Sequence, residues 1–135
     1  MKFHPAIDAD NPERVAKTLA WIWSSDAYPS SFGRCAWIVV AADDRVSAIH
    51  VRQRSEALEA APAAANGAPC MIGTRLSEAE VCALGAAEGW PAARRSRGRF
   101  HVIEFWVENR VLIEVLTPEM QAQYAVASMP ARRAA

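Results

Sequence analysis

The chain has 135 residues, 52% hydrophobic and 22% charged, a composition that excludes disorder as its main state and suffices for one domain to bury an ordinary core. Fifteen Lys and Arg balance fifteen Asp and Glu, so no bulk field draws the protein to nucleic acid or to an anionic membrane. A small molecule or another protein is the expected partner.

Lys2 to Ile7 alternates as a short strand, with Phe3 and Ile7 on one face and Lys2, His4 and Ala6 on the other. Asn11-Pro12-Glu13 then reads as a helix start: Asn as N-cap, Pro at the first helical position and an acid in the first turn. Val15, Leu19 and Ile22 give that helix an apolar stripe, and it is expected to end before Tyr28-Pro29. A short edge strand is placed, if anywhere, at Ser30 to Arg34. Cys35 to Ala42 is an apolar run of strand length, Asp43-Asp44-Arg45 turns it, and Val46 to Arg52 returns as its partner. The Ala-rich stretch 55–68, with Pro62 and Gly67, reads as a connection.

Cys70 to Thr74 is again a strand. Ser77 to Glu80 is a capping box, Val81, Leu84 and Gly85 form the buried side of the helix it opens, and Gly89 is placed to end it in the left-handed conformation. Arg94 to Arg99 reads as an exposed strand with a turn at Gly98, its basic run explained by an edge blunted with charge. The long hairpin Phe100 to Leu116 follows, then a terminal helix after Pro118.

The second half repeats the first. Asp44-Arg45-Val46 falls on Asn109-Arg110-Val111 at an offset of 65, and Ile49-His50-Val51 on Ile113-Glu114-Val115 at 64, so one extra residue is placed near Ser47. At the start, His4 to Ile7 falls on Pro69 to Ile72. The expected architecture is α+β, two tandem βαβββ units (about 2–54 and 69–117, joined by 55–68 and followed by a tail at 118–135) in a single domain. Helices should cover one face of a curved sheet and leave the concave face free.

Parity places His4, His50 and Glu114 on that concave face, and with them Trp37, Val39, Arg52, Glu104, Trp106 and Leu112: apolar walls with a few charged groups, the make-up of a small-molecule pocket. Trp21, Trp23 and Trp90 belong to helices and read as packing. Cys35, Cys70 and Cys82 contain no CxxC spacing and read as reduced, unactivated thiols of a cytoplasmic protein. The amino terminus lacks an apolar signal core, and no run approaches 18 apolar residues. Gly-rich phosphate loops, nucleophile elbows and His-Glu-x-x-His helices are missing from the sequence, which sets aside nucleotide-binding, serine-hydrolase and zinc-protease readings.

FHPAI in the first strand, LSEAEVCALGAAEGW in the second helix and VIEFWVENRVLIEVLTPE in the last hairpin, within duplicated units, resemble the vicinal-oxygen-chelate superfamily of glyoxalases, bleomycin and fosfomycin resistance proteins and ring-cleaving dioxygenases. The resemblance implies a cavity between the units, metal ligands at His4, His50 and Glu114, and a homodimer. Pro69 departs from it, standing where a ligand, often His, is usual. His50 also replaces a common carboxylate. Two imidazoles and a carboxylate suit one divalent ion (Fe, Zn, Mn or Ni) with open positions for substrate.

Two functions follow from these residues. One is a metal-dependent lyase, isomerase or dioxygenase acting on an oxygen-rich small molecule, with Glu104 as proton carrier and Trp37, Arg52, Trp106 and Leu112 binding substrate. The other is a metal-free protein that sequesters a ligand, similar to bleomycin resistance proteins, in which His50 and Glu114 bond each other or water and Glu104 pairs with an arginine such as Arg52.

Overall fold

In a computed structural model, residues 5–31, 33–42, 47–54 and 70–129 are described. His4, Pro69, residues 43–46, where a turn is expected, and the whole expected connection 55–68 lie outside them. The elements run β1 (Ala6–Ala9), α1 (Pro12–Trp23), β2 (Ser25–Pro29), β3 (Trp37–Ala41), β4 (Ala48–Gln53), β5 (Cys70–Gly73), α2 (Glu78–Glu88), β6 (Ala92–Ser96), β7 (His101–Val107), β8 (Val111–Leu116) and α3 (Pro118–Ser128). They build two four-stranded sheets of identical topology, β1-β4-β3-β2 and β5-β8-β7-β6, each with its first strand parallel to its last.

The duplication is written in the strand register. Ile7 pairs with Val51 and Ile72 with Val115, which reproduces the 65- and 64-residue offsets on the outer pair of strands. Helix boundaries follow from local chemistry. Asn11 accepts from the Arg14 amide at 3.2 Å with Pro12 behind it, Ser77 and Glu80 complete the reciprocal capping box, and Gly89 ends α2 at φ +80°.

Several expectations fail, among them packing by Trp21, which is 68% exposed, and a helical place for Trp90, which follows the end of α2. The edge strand of the first unit is Ser25–Pro29, not Ser30 to Arg34, because α1 stops at Trp23 on a left-handed Ser24 (φ +53°) where no glycine announces a stop. The face of β3 is also reversed. Val39 pairs with Ile49 in the first unit and Phe105 with Ile113 in the second, so the β3–β4 hairpin is two residues longer than its counterpart, and β3 matches β7 at an offset of 66, not 65. A one-residue slip exchanges the faces of a strand. Trp37 and Val39 therefore sit with Ile49 and Val51 on the helix-covered side, with Lys17 of α1 5.4 Å from the Trp37 ring centroid.

One apolar cluster joins the units, uniting Val15, Leu19 and Ile22 of α1 with Val81, Ile103, Phe105 and Ile113 of the second unit. Polar contacts stitch the same seam. Thr74 Oγ1 donates to the carbonyl of Ile22 at 2.6 Å, and the Glu108 carboxylate in the β7–β8 turn accepts from the Asp10 and Asn11 amides at 2.7 and 2.9 Å. The second concave face is not wholly free, as α3 packs on β7 and β8. Phe100 meets Tyr124 edge-on with centroids 5.0 Å apart, and Val102 and Leu116 are buried.

Candidate functional site

The last hairpin builds the site. Glu108 and Asn109, both at positive φ (52° and 62°), lie in the three-residue connection 108–110, closed by the Arg110 amide donating to the Val107 carbonyl at 3.0 Å. Alternation then sends Ile103, Phe105, Val107, Ile113 and Val115 inward, all fully buried, and Glu104, Trp106, Leu112 and Glu114 to the concave side. Glu104 stands directly opposite Glu114, and Trp106 opposite Leu112. Two like charges at facing positions of adjacent strands repel, so this pair requires a cation.

Arg97 is that cation. Its Nε donates to Glu114 Oε2 at 2.9 Å, and its Nη2 reaches Glu104 Oε2 at 2.6 Å and Glu114 Oε2 at 2.8 Å. Hydrogen bonds from Glu104 first and Glu114 second push the guanidinium's pKa above its already high ordinary value, so it stays charged. Arg95, two residues earlier on the same face, lies 3.8 Å from the other oxygen of Glu104. Glu114 is 7% exposed, yet its charge is matched.

Sequence reasoning assigned Arg97 to an exposed basic run and missed this role. The signal was there in the period-two alternation: Ala93 pairs with Glu104 and Arg95 with Val102, so 93, 95 and 97 share the concave face. Arg97 then comes back over the sheet at the β6–β7 turn, where its amide donates to the Phe100 carbonyl and Gly98 adopts φ +84°.

On the first sheet, His50 lies on β4 opposite Ile38 and beside Ala6, on the face away from Ile49 and Val51. Arg52 shares that face, but its partner is Asp8, with Nε and Nη2 at 3.0 and 2.9 Å from Oδ1. The expected pairing of Arg52 with Glu104 is therefore replaced by two separate ion pairs, one on each sheet. Among the expected site residues, the fold brings Glu104, Trp106, Leu112 and Glu114 together; His50 and Arg52 belong to the other sheet, and Trp37 to the opposite face.

Arg97 already stands at the acid pair, and His4, one of the ligands the resemblance implied, lies outside the described residues. Among the described residues, no group of three or more His, Cys, Asp and Glu side chains converges as a metal site. The carboxylate best placed to ligate, Glu114, already faces a guanidinium that a divalent cation would have to displace against charge repulsion.

No family model matches this sequence, and no curated protein matches it. Solved structures do. The fosfomycin resistance protein FosX from Mesorhizobium loti superposes with a TM-score of 0.53 at 12% identity, covering 92% of this chain and 97% of that one. FosX from Listeria monocytogenes, in complex with Mn(II) and sulfate, gives 0.55 at 14% identity over 94% and 97%. A hypothetical protein from S. aureus gives 0.55 at 10% identity over 87% and 96%. The chain therefore has the fold of the vicinal-oxygen-chelate superfamily, as its sequence resemblance implied. No helix among the described residues is long and apolar enough to cross a membrane.

Proposed function

We propose that this glyoxalase-like protein binds an oxygen-rich small molecule on the concave side of its sheets and holds it without a metal. The observation that carries this reading is the Glu104–Arg97–Glu114 cluster, flanked by the half-buried Trp106 and Leu112: a preformed set of charged hydrogen-bonding groups beside an apolar wall. Such a wall supplies binding area while the charged groups orient hydroxyl, carbonyl or phosphonate oxygens.

The metal-dependent reading is supported by a different observation. FosX of Listeria monocytogenes, which shares the fold, carries Mn(II), and a variant of it also holds 1S,2S-dihydroxypropylphosphonic acid. In that reading His4, His50 and Glu114 hold the ion, its charge polarises substrate oxygens, and Glu104 carries the proton. Arg97 Nη2 sits 2.6 Å from Glu104 Oε2, so in that reading the guanidinium has to leave this oxygen before the oxygen can reach substrate.

Thermal melting of chelator-treated protein against 1S,2S-dihydroxypropylphosphonic acid and a panel of vicinal diols and 2-hydroxy acids separates the two. Stabilisation of the metal-free protein by a member of the panel, lost in Trp106→Ala, supports sequestration. Stabilisation that appears only with added Mn(II), and disappears in His50→Ala and Glu114→Gln, moves the assignment to the metal-dependent enzyme. Association as a homodimer belongs to the same proposal and is read by sedimentation with and without ligand.

A further inference from the structure

We infer that Arg97 is the built-in cation of this site, occupying the place between Glu104 and Glu114 that a divalent ion would otherwise take, so that the native protein excludes metal at Glu114. The inference deepens the metal-free reading above and rests on it.

The argument starts from the register. Facing strands set the two carboxylates directly across from each other, and the hairpin turn leaves them no freedom to slide apart. Glu114 has almost no access to water, so dilution of its charge by solvent is not available. Some cation has to stand between the two acids. The fold supplies one covalently: the β6–β7 turn returns Arg97 over the sheet, and one guanidinium touches both carboxylates through Nε and Nη2.

The guanidinium occupies Oε2 of both Glu114 and Glu104, so a divalent ion approaching the space between those oxygens must displace it or meet its charge. The guanidinium is planar, keeps its proton across the physiological range and donates from fixed directions, whereas a metal needs the carboxylate oxygens bare. Arg95 adds a second positive charge near Glu104, so the two glutamates are balanced by two arginines before any ion arrives. The net field at the cluster gives a divalent cation no advantage. Removing Arg97 leaves Arg95, 3.8 Å from Glu104 Oε1, as the remaining counter-charge, and uncovers Oε2 of Glu114 to a hard cation.

The test is titration of the full chain with Mn(II), read by loss of the free-ion signal in electron paramagnetic resonance, with melting temperature followed in parallel. Wild type is expected to take up no stoichiometric Mn(II) at millimolar concentrations. Arg97→Ala is expected to melt lower, to bind Mn(II) at least tenfold more tightly than wild type, and to recover melting temperature on its addition; Glu114→Gln placed on top is expected to abolish the gain. Arg97→Gln, shorter than Arg but still polar and uncharged, replaces Arg97→Ala if the latter does not fold. Stoichiometric uptake by wild type that Glu114→Gln removes overturns the inference, as does a folded Arg97 variant that takes up Mn(II) no better than wild type. A ligand screen that finds no binder leaves these readouts intact, so failure of the functional reading and failure of this inference are told apart.

Discussion

Replacing Glu108 tests how the two units are held together. Its two carboxylate oxygens accept separately from the amides of Asp10 and Asn11, at the mouth of α1 in the other unit, and Arg54 stands 3.8 Å away. Hydrogen bonds to a charged group contribute about 1.5–3 kcal/mol each, and the exposure of Asp10 and Asn11 lets water replace part of that, so the lower end applies to both. Loss of a negative charge at a helix N-terminus adds a few tenths of a kcal/mol, roughly. Glu108→Ala should therefore cost about 3 kcal/mol, measured by urea unfolding followed through tryptophan fluorescence, with an unchanged slope against denaturant. Glu108→Gln keeps one acceptor and turns an NH2 group toward the other amide, which predicts a loss of about 1–2 kcal/mol. Arg54→Ala removes the long contact to Glu108 together with a 2.9 Å pair to Asp10 and a 3.3 Å bond to the Asp8 carbonyl, all near the surface, and should cost about 1 kcal/mol. If Glu108→Ala and Glu108→Gln both change stability by less than about 0.5 kcal/mol, the seam is held by the apolar cluster alone and the reasoning is refuted.

The remaining predictions concern packing and thiol chemistry. An added Cβ at Gly85 would lie 2.7 Å from the Trp90 carbonyl and 3.1 Å from Ala92 Cβ, so Gly85→Ala should destabilise by about 1–2 kcal/mol despite the better helix propensity of alanine, readable in the same unfolding assay. Burial pushes the Cys70 thiol up to about 11 from its ordinary 9.0. The fold thus retains a proton that the unfolded chain releases between those values, and stability present below pH 9 is lost as the pH rises toward 11, by up to roughly 3 kcal/mol from this group. Cys70→Ala should flatten that part of the stability–pH curve. Burial, with help from the charge of Glu78, also raises Cys82, so native labelling at neutral pH should modify exposed Cys35 first and the partly buried Cys70 and Cys82 more slowly. Thr74→Val leaves the Ile22 carbonyl without its 2.6 Å donor at a buried position and should cost about 1–3 kcal/mol by thermal melting.

Read as sequence, the chain already determined what depends on neighbours a few residues away. The Asn11-Pro12 start, the Ser77 to Glu80 box and the Gly89 stop are chemistry of one helical turn, and each stands where its residues placed it. The duplication was legible as well, because equal spacing along two stretches of chain becomes equal register in two sheets. Alternation in β4, β7 and β8 was legible too: His50 and Arg52 share one face of the first sheet, and Glu104, Trp106, Leu112 and Glu114 one face of the second.

Only the tertiary structure decided the rest. The face of Trp37 depended on the number of residues in a hairpin turn, and an error of one position there reverses a whole strand. The partner of Glu104 depended on where a long side chain ends: Arg52 and Arg97 carry the same group, but strand pairing delivers one to Asp8 and the other to the acid pair. Local backbone preference is encoded residue by residue, whereas which charge meets which is settled when distant strands come into register.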